Sequence, residues 1–332
     1  GSEMCIRDRH SVVGLLFVSY VALSSTTWGF QTAYLIPHEV RISGTWVNTA
    51  LAVLGLYALV HIMVTEVSES SALEVDMRKG IARDEFFLLY QAQVTEDGGV
   101  IGAEALLRWR HPKLGLVAPG DFIDMAEQTG LILPLGGWVL RTACTQLVTW
   151  AQMPELAHLS LSVNVSARQF RQSDFVGQVQ AVLERTGADP RRLKLELTES
   201  MLVEDMDDIV HKMESLRALG VGCSLDDFGT GYSSLNYLKR LPLDQLKIDQ
   251  SFVRDVLTDS NDATIANTII TLGTSLGFAV VAEGVETRGQ RDFLVAHGCH
   301  LFQGYFFSKP LPLPDFVAFA RAAQQSAQPV AA

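Results

Sequence analysis

The stretch Cys223-Ser224-Leu225-Asp226-Asp227-Phe228-Gly229-Thr230-Gly231-Tyr232-Ser233-Ser234 sets two adjacent carboxylates at the end of a short apolar run. The glycines and small hydroxyl residues that follow cannot prolong a strand, so Asp226 and Asp227 stand at a strand exit. Neighbouring residues on a strand face opposite ways. Both acids therefore reach one ligand only if the backbone turns there, which Gly229 and Gly231 permit. Such a pair suits a divalent cation, although taken alone it is more often a helix cap or a turn.

The pair has company. Glu104 and Arg108, Asn164, Glu196 and Glu199, Lys247 and Asp249, Glu283 and Glu286, and Gln303 each lie toward the end of a separate short apolar run. Taken one by one these residues have ordinary readings as satisfied buried polar groups. Gathered in one mouth, so many carboxylates would repel one another and stay protonated unless cations bound among them. The donors are oxygens and an amide, which selects Mg2+ or Mn2+ over zinc. The 8 histidines show no HxxxH or HExxH spacing and the 4 cysteines no CxxC pair, so zinc and a disulfide framework are both disfavoured. Two ions about 3.5–4 Å apart, sharing a carboxylate, would activate a water and stabilise the leaving oxygen of an in-line attack on phosphorus. Arg108 would then hold a phosphate oxygen, and Lys247 would orient or deprotonate the water.

Elements able to bring these residues together follow from hydrophobic period. Strands are expected over Phe86–Val94, Val100–Trp109, Leu159–Val165, Leu193–Thr198, Val221–Asp226, Gln245–Asp249, Ala279–Glu283 and Cys299–Gln303. Helices are expected over Pro119–Thr129, Trp138–Trp150, Asp174–Thr186, Met206–Leu219, Ala263–Gly277 and Thr287–His297. About eight strands alternating with helices over roughly 240 residues is the arithmetic of an α/β fold of the (β/α)8 TIM-like barrel type. Strand ends in such a barrel share one site whatever their distance in sequence. A doubly wound open sheet would call for a glycine-rich phosphate turn after its first strand, and QAQVTEDGG matches that poorly.

The chain of 332 residues has a net charge of -11, which argues against a partner that is a nucleic acid polymer. Its mean hydropathy of +0.19 is high for a soluble protein, so apolar residues are concentrated somewhere. Residues 1–10 lack periodicity and read as a disordered or artefactual N-terminus. Ser11–Ile36 carries no charge and Ile42–Thr65 none apart from His61, so 11–65 is expected to form two transmembrane helices as a hairpin, with Trp28, Tyr34 and Trp46 at the interfaces. A buried core helix is the competing reading of either run, and a signal peptide that of the first. Arg7, Arg9, Arg78, Lys79 and Arg83 would place both flanks in the cytoplasm. Residues 66–83 are expected as a helical linker, 84–321 as the barrel, and the Ala/Gln-rich 322–332 as a flexible tail.

EALLRWRHP, SVNVSARQF, LELTES, SLDDFGTGYSSL, LKIDQSFV, VVAEGVET and QGYFFSKP, in this order, closely resemble the EAL-domain phosphodiesterases that hydrolyse the bacterial second messenger cyclic di-GMP. The resemblance spans roughly Asp76 to Phe319. It implies a barrel whose first strand runs antiparallel to the rest. By motif, Glu104, Asn164, Glu196 and Asp226 resemble ligands of one metal ion, and Asp226, Asp227 and Glu283 ligands of a second. Glu104, Glu283 and Lys247 would form the catalytic core, with Lys247 similar to the lysine that contacts the attacking water. Arg108 is similar to the arginine that binds a substrate phosphate, and Gln303 and Glu286 to further polar members of the site. Asp249 resembles a partner supporting the lysine. Glu199 resembles the glutamate that anchors the loop Phe228 to Ser234, which the family uses to couple dimerisation to metal binding. The implied product is the linear dinucleotide pGpG, the implied assembly a homodimer, and the implied location the bacterial inner membrane with the barrel in the cytoplasm. The chain departs from the family pattern at Ala92, where YQPQ is usual; this touches backbone rigidity more than metal chemistry. A non-catalytic cyclic di-GMP receptor and, with the resemblance set aside, an enolase-type barrel enzyme using Lys247 as base and one Mg2+ are the alternatives.

Overall fold

The computed structural model describes residues 49, 51–61, 73–199, 201, 206–229 and 238–327. Two compact units divide the chain between Val75 and Asp76. In the first, the apolar helix Leu51–His61 is described, and nearly every residue of it is exposed. Among the described residues no single helix is long and apolar enough to cross a membrane. The first expected span, Ser11–Ile36, and most of the rest of the hairpin lie outside the described residues.

The second unit is built on nine strands: β1 (Phe86–Thr95), β2 (Val100–His111), β3 (Gly115–Val117), β4 (Ser160–Asn164), β5 (Leu193–Thr198), β6 (Gly222–Phe228), β7 (Gln245–Ile248), β8 (Ala279–Ala282) and β9 (Leu301–Phe302). They are ordered β1-β9-β8-β7-β6-β5-β4-β2-β3, and a further β1–β2 pairing closes the ring. β3, absent from the sequence expectation, is an antiparallel hairpin appended to β2 outside that ring. β2 and β4 through β9 pair in parallel, whereas β1 is antiparallel to both of its neighbours, as the resemblance implies.

The strands are apolar on the outside and polar within. Leu161 and Val163, Leu195 and Leu197, Cys223 and Leu225, and Leu246 and Ile248 occupy one parity of β4 to β7 and are buried. The other parity holds Ser162, Glu196, Ser224, Gln245 and Lys247, also buried and turned into the lumen. Each outer Leu, Ile or Val removed from water contributes about 1.5–3 kcal/mol, an upper bound given a compact unfolded chain. The helix Ile132–Ala151 supplies Leu135, Val139, Ala143, Leu147 and Trp150 to that outer layer at helical spacing.

Two ends differ from expectation. Met77 is fully buried and Asp76 Oδ2 meets His111 Nε2 at 3.3 Å, so the last turns of the expected linker belong to the barrel unit. The helix Leu313–Ala327 runs beyond residue 322, where the barrel was expected to give way to a tail. It is held there by Phe316, fully buried and stacked on Trp150 with ring centroids 5.3 Å apart, while Tyr90 of β1 lies 5.9 Å from both rings. Local caps finish the frame: Ser166 and Thr287 close capping boxes, and Asp249 and Asp259 accept N–H bonds from the first turns of their helices.

Candidate functional site

Strand register assembles the site row by row. Gln91 lies opposite Glu104 and Glu104 beside Ser162, while Asn164 pairs with Glu196 and Glu196 with Ser224. Lys247, fully buried, reaches from β7 into the centre of these rows. Its Nζ stands 2.5 Å from Glu283 Oε1, 2.8 Å from Glu196 Oε2, 3.2 Å from Asp226 Oδ1 and 3.4 Å from Glu104 Oε2. Four acids, from β2, β5, β6 and the residue after β8, thus share one ammonium.

One cation cannot balance four buried anions, and the proton affinities show it. Burial alone would discharge Lys247, but Glu104, Glu196, Glu283 and Asp226 hold it charged well above its ordinary range. Its Nζ is thus a hydrogen-bond donor to the acids around it. Burial also works against a charged Glu104, yet Lys247 and hydrogen bonds from Gln303 and Asn164 keep that carboxyl below its usual value. Burial pushes Glu196 up to about 8, with Glu104 and Asp226 adding to the push and Lys247 opposing it. Glu283 is raised in the same way, by burial first. Asp227 rises to about 6 through burial, the neighbouring Asp226 and a hydrogen bond with Asp249.

The two aspartates converge by a route other than the one foreseen. β6 slips register against β7 between Leu225 and Phe228, and Asp227 itself takes a left-handed φ of 53°. The turn begins on the acid itself and continues at Gly229, whose φ is 103°. The Asp227 backbone N–H donates to Asp226 Oδ1 at 3.0 Å, and a left-handed non-glycine residue costs about 1–3 kcal/mol that the site must sustain. Asp226, Asp227 and Glu283 each offer an oxygen within 4.8 Å of the others. Glu196 Oε1 is buried with no hydrogen-bond partner. An all-oxygen donor set, an excess of buried negative charge and an orphaned carboxylate oxygen together fit hard divalent cations.

Asn164 Nδ2 donates to Glu104 Oε1 at 2.6 Å, and Gln303 Nε2 to Glu104 Oε2 at 2.5 Å. Gly304 follows Gln303, and a Cβ there would fall 2.2 Å from Val285 O, so glycine is what lets the exits of β8 and β9 pass closely. Arg108 shares the face of β2 that carries Glu104; it is half-buried, its Nη1 donates to Leu107 O at 2.8 Å, and Tyr305 and Glu104 are its charge neighbours. Glu199 Oε2 accepts the Gly229 N–H at 3.0 Å, while the rest of the loop it was expected to anchor, from residue 230, lies outside the described residues. Asp249 caps the helix Gln250–Arg254 and bonds Asp227. Glu286 stands apart: its side chain is exposed and its N–H donates to Gln290 Oε1 at 2.8 Å, outside the Lys247 cluster.

Three residues near the site were not foreseen. Gln91 and Gln93 lie on the lumen face of β1, and Tyr305, exposed, neighbours Arg108. The alternation Gln91-Ala92-Gln93 inside an apolar strand was the available signal. Ala92 keeps the β1–β2 register unbroken opposite Ala103.

A family model described as EAL domain matches residues 74–310. The bifunctional diguanylate cyclase/cyclic di-GMP phosphodiesterase MucR of Pseudomonas aeruginosa is 44% identical over 257 residues, covering 77% of this chain and 37% of that protein. The cyclic di-GMP phosphodiesterase NbdA of the same organism is 42% identical over 268 residues, covering 80% and 34%. This chain thus spans about a third of the length of these curated relatives. Among solved structures, the PaMucR phosphodiesterase in complex with c-di-GMP superposes with a TM-score of 0.72 at 45% identity, covering 74% of this chain and 99% of that one. The EAL enzyme Bd1971, bound to cAMP and cyclic di-GMP, gives 0.73 at 32% identity, covering 82% and 75%.

Proposed function

This chain belongs to the EAL domain family, and on that premise we propose that it is a phosphodiesterase that opens cyclic di-GMP to linear pGpG. The observation that carries the proposal is the convergence of Glu104, Glu196, Asp226 and Glu283 on Lys247, with Asn164 and Gln303 bonded to Glu104. Buried, mutually repelling carboxylates around one cation are the kind of arrangement that clusters at functional sites.

Glu104, Asn164, Glu196 and Asp226 would hold one Mg2+ or Mn2+, and Asp226, Asp227 and Glu283 a second. When bound, such ions supply Lewis acidity to the phosphate and lower the pKa of water. The chain's own residues do the rest. Arg108 binds a non-bridging phosphate oxygen, keeping the phosphorus over the acids. Lys247, held charged by its carboxylates, donates a hydrogen bond to the attacking water and fixes its direction. In the reaction a water oxygen bonds to phosphorus, the bond from phosphorus to the 3′ oxygen breaks, and a proton passes to that leaving oxygen. Asp249 steadies Asp227 through their hydrogen bond, and Glu199 steadies the segment after β6 through Gly229.

The membrane hairpin over 11–65, a cytoplasmic barrel at the inner membrane and a homodimer through the barrel complete the proposal. Their support is the two apolar runs Ser11–Ile36 and Ile42–Thr65, which hold no Asp, Glu, Lys or Arg, and the family resemblance. The test is incubation of the purified chain with cyclic di-GMP and Mg2+ or Mn2+, followed by chromatography. Appearance of pGpG supports the reading. Retention of the dinucleotide without cleavage would make the protein a receptor and sink it.

A further inference from the structure

The reversed strand β1 lays two amides where its neighbours carry acids. Gln91 and Gln93, two residues apart, share the lumen face and are only 9% and 1% exposed. Register sets Gln91 opposite Glu104, and pairs Val94 with Phe302, which puts Gln93 alongside Gln303. A directed chain of hydrogen bonds results. Gln93 Nε2 donates to Gln303 Oε1 at 3.2 Å; Gln303 Nε2 donates to Glu104 Oε2 at 2.5 Å and to Gln91 Oε1 at 3.2 Å. Gln91 Nε2 in turn donates to Ser308 O at 3.4 Å.

An amide presents an acceptor on one side and donors on the other. With Gln303 Oε1 taken by Gln93, the Gln303 NH2 must face Glu104. Turned over, Gln303 would set its carbonyl against the Glu104 carboxylate and its NH2 against that of Gln93. Gln93 Oε1 has no protein partner of its own, so this buried residue acts through its donor alone.

We propose that Gln93 is a positioning residue for the phosphodiesterase site. It selects the Gln303 orientation that grips Glu104 Oε2, holding the carboxylate in the pose in which Asn164 bonds its other oxygen, so that Glu104 and Asn164 stand together at the proposed cation site. The inference rests on the metal-dependent function proposed above, and its experiment separates the two.

The chain is titrated with Mn2+, the free ion being followed by electron paramagnetic resonance, and kcat and KM are measured beside it. Gln93→Met keeps the volume and removes the donor. It should weaken Mn2+ binding about 10-fold and lower kcat with KM unchanged, because misplacing a ligand's supporting partner acts through the metal. Gln93→Glu keeps the shape but turns the donor into an acceptor, and should weaken binding at least as far; it stands in if Gln93→Met does not fold. In a Gln303→Met background, Gln93→Met should add nothing further. Wild-type Mn2+ affinity in both Gln93 variants, or fully additive losses in the double variant, would overturn the inference and leave the metal reading intact. A wild-type chain that takes up no Mn2+ would overturn both.

Discussion

Glu199 Oε2 accepts the backbone N–H of Gly229 at 3.0 Å, tying the end of β5 to the residue that follows β6. Gly229 has a φ of 103°, and a Cβ there would meet Phe252 Cε2 at 2.9 Å, so the tether fixes a backbone that only glycine accommodates. Asp226 and Asp227 precede it with only Phe228 between.

Glu199→Ala is therefore expected to loosen the aspartate pair, lowering turnover by about 10- to 100-fold and raising the Mn2+ concentration needed for half-maximal rate. Glu199→Gln retains an acceptor for Gly229 and should lose much less. Equal losses in the two variants, measured by steady-state kinetics across a Mn2+ series, would contradict this account.

Glu104→Ala should abolish hydrolysis, since it removes a carboxylate bonded by Asn164, Gln303 and Lys247 together. Chromatography of pGpG after long incubation checks it. Near-normal turnover would refute the assigned coordination.

Lys247→Met leaves Glu104, Glu196, Asp226 and Glu283 buried without their shared cation. Removing one partner of a buried ionic cluster costs about 3–5 kcal/mol. The metal-free variant should melt well below the wild type, and Mg2+ should restore more stability to it than to the wild type. Thermal melts with chelator and with Mg2+ provide the comparison.

Stability without metal should fall as pH rises. Glu196 moves from 4.5 in an ordinary setting to about 8 in the folded chain, so between those values the folded state holds more protons than the unfolded state. Unfolding free energy then decreases with pH across that window. Asp227, raised from 3.8 to about 6, adds the same sign at the lower end. Saturating Mg2+ should flatten the profile. A metal-free melting temperature that climbs from pH 5 to pH 8 would sink the assignment.

Replacing Mg2+ by Ca2+ should inhibit, because its larger radius and looser coordination misplace the attacking water relative to Lys247. Undiminished rates with Ca2+ alone would count against the mechanism.

Much of this site was legible before any coordinates, because strand exits of a closed barrel share one rim and the acids at those exits are plain in the chain. What stayed hidden is orientation. That Asp227 takes a left-handed turn, two residues before that of Gly229, goes with a register slip against β7, which no local pattern records. Periodicity finds β1 but not its direction, which came only through family likeness; the roles of Gln91 and Gln93 depend on that direction. Glu286, by contrast, matches its motif and yet lies on the surface, since the chain after β8 turns it toward the helix Arg288–Ala296. The helix Leu313–Ala327 outruns its Ala/Gln-rich appearance because Phe316 anchors it from within.

The double bonding of β1, to β2 on one side and to β9 on the other, carries a consequence for synthesis. The first strand of the barrel to leave the ribosome waits with one edge unpaired until almost the whole domain has been translated. Gln303, Glu104 and the two amides of β1 meet only at that moment. Until the ring closes the proposed site lacks Gln303, and a chain stopped before Leu301 would leave that edge of β1 without its β9 partner, open to pairing with another chain.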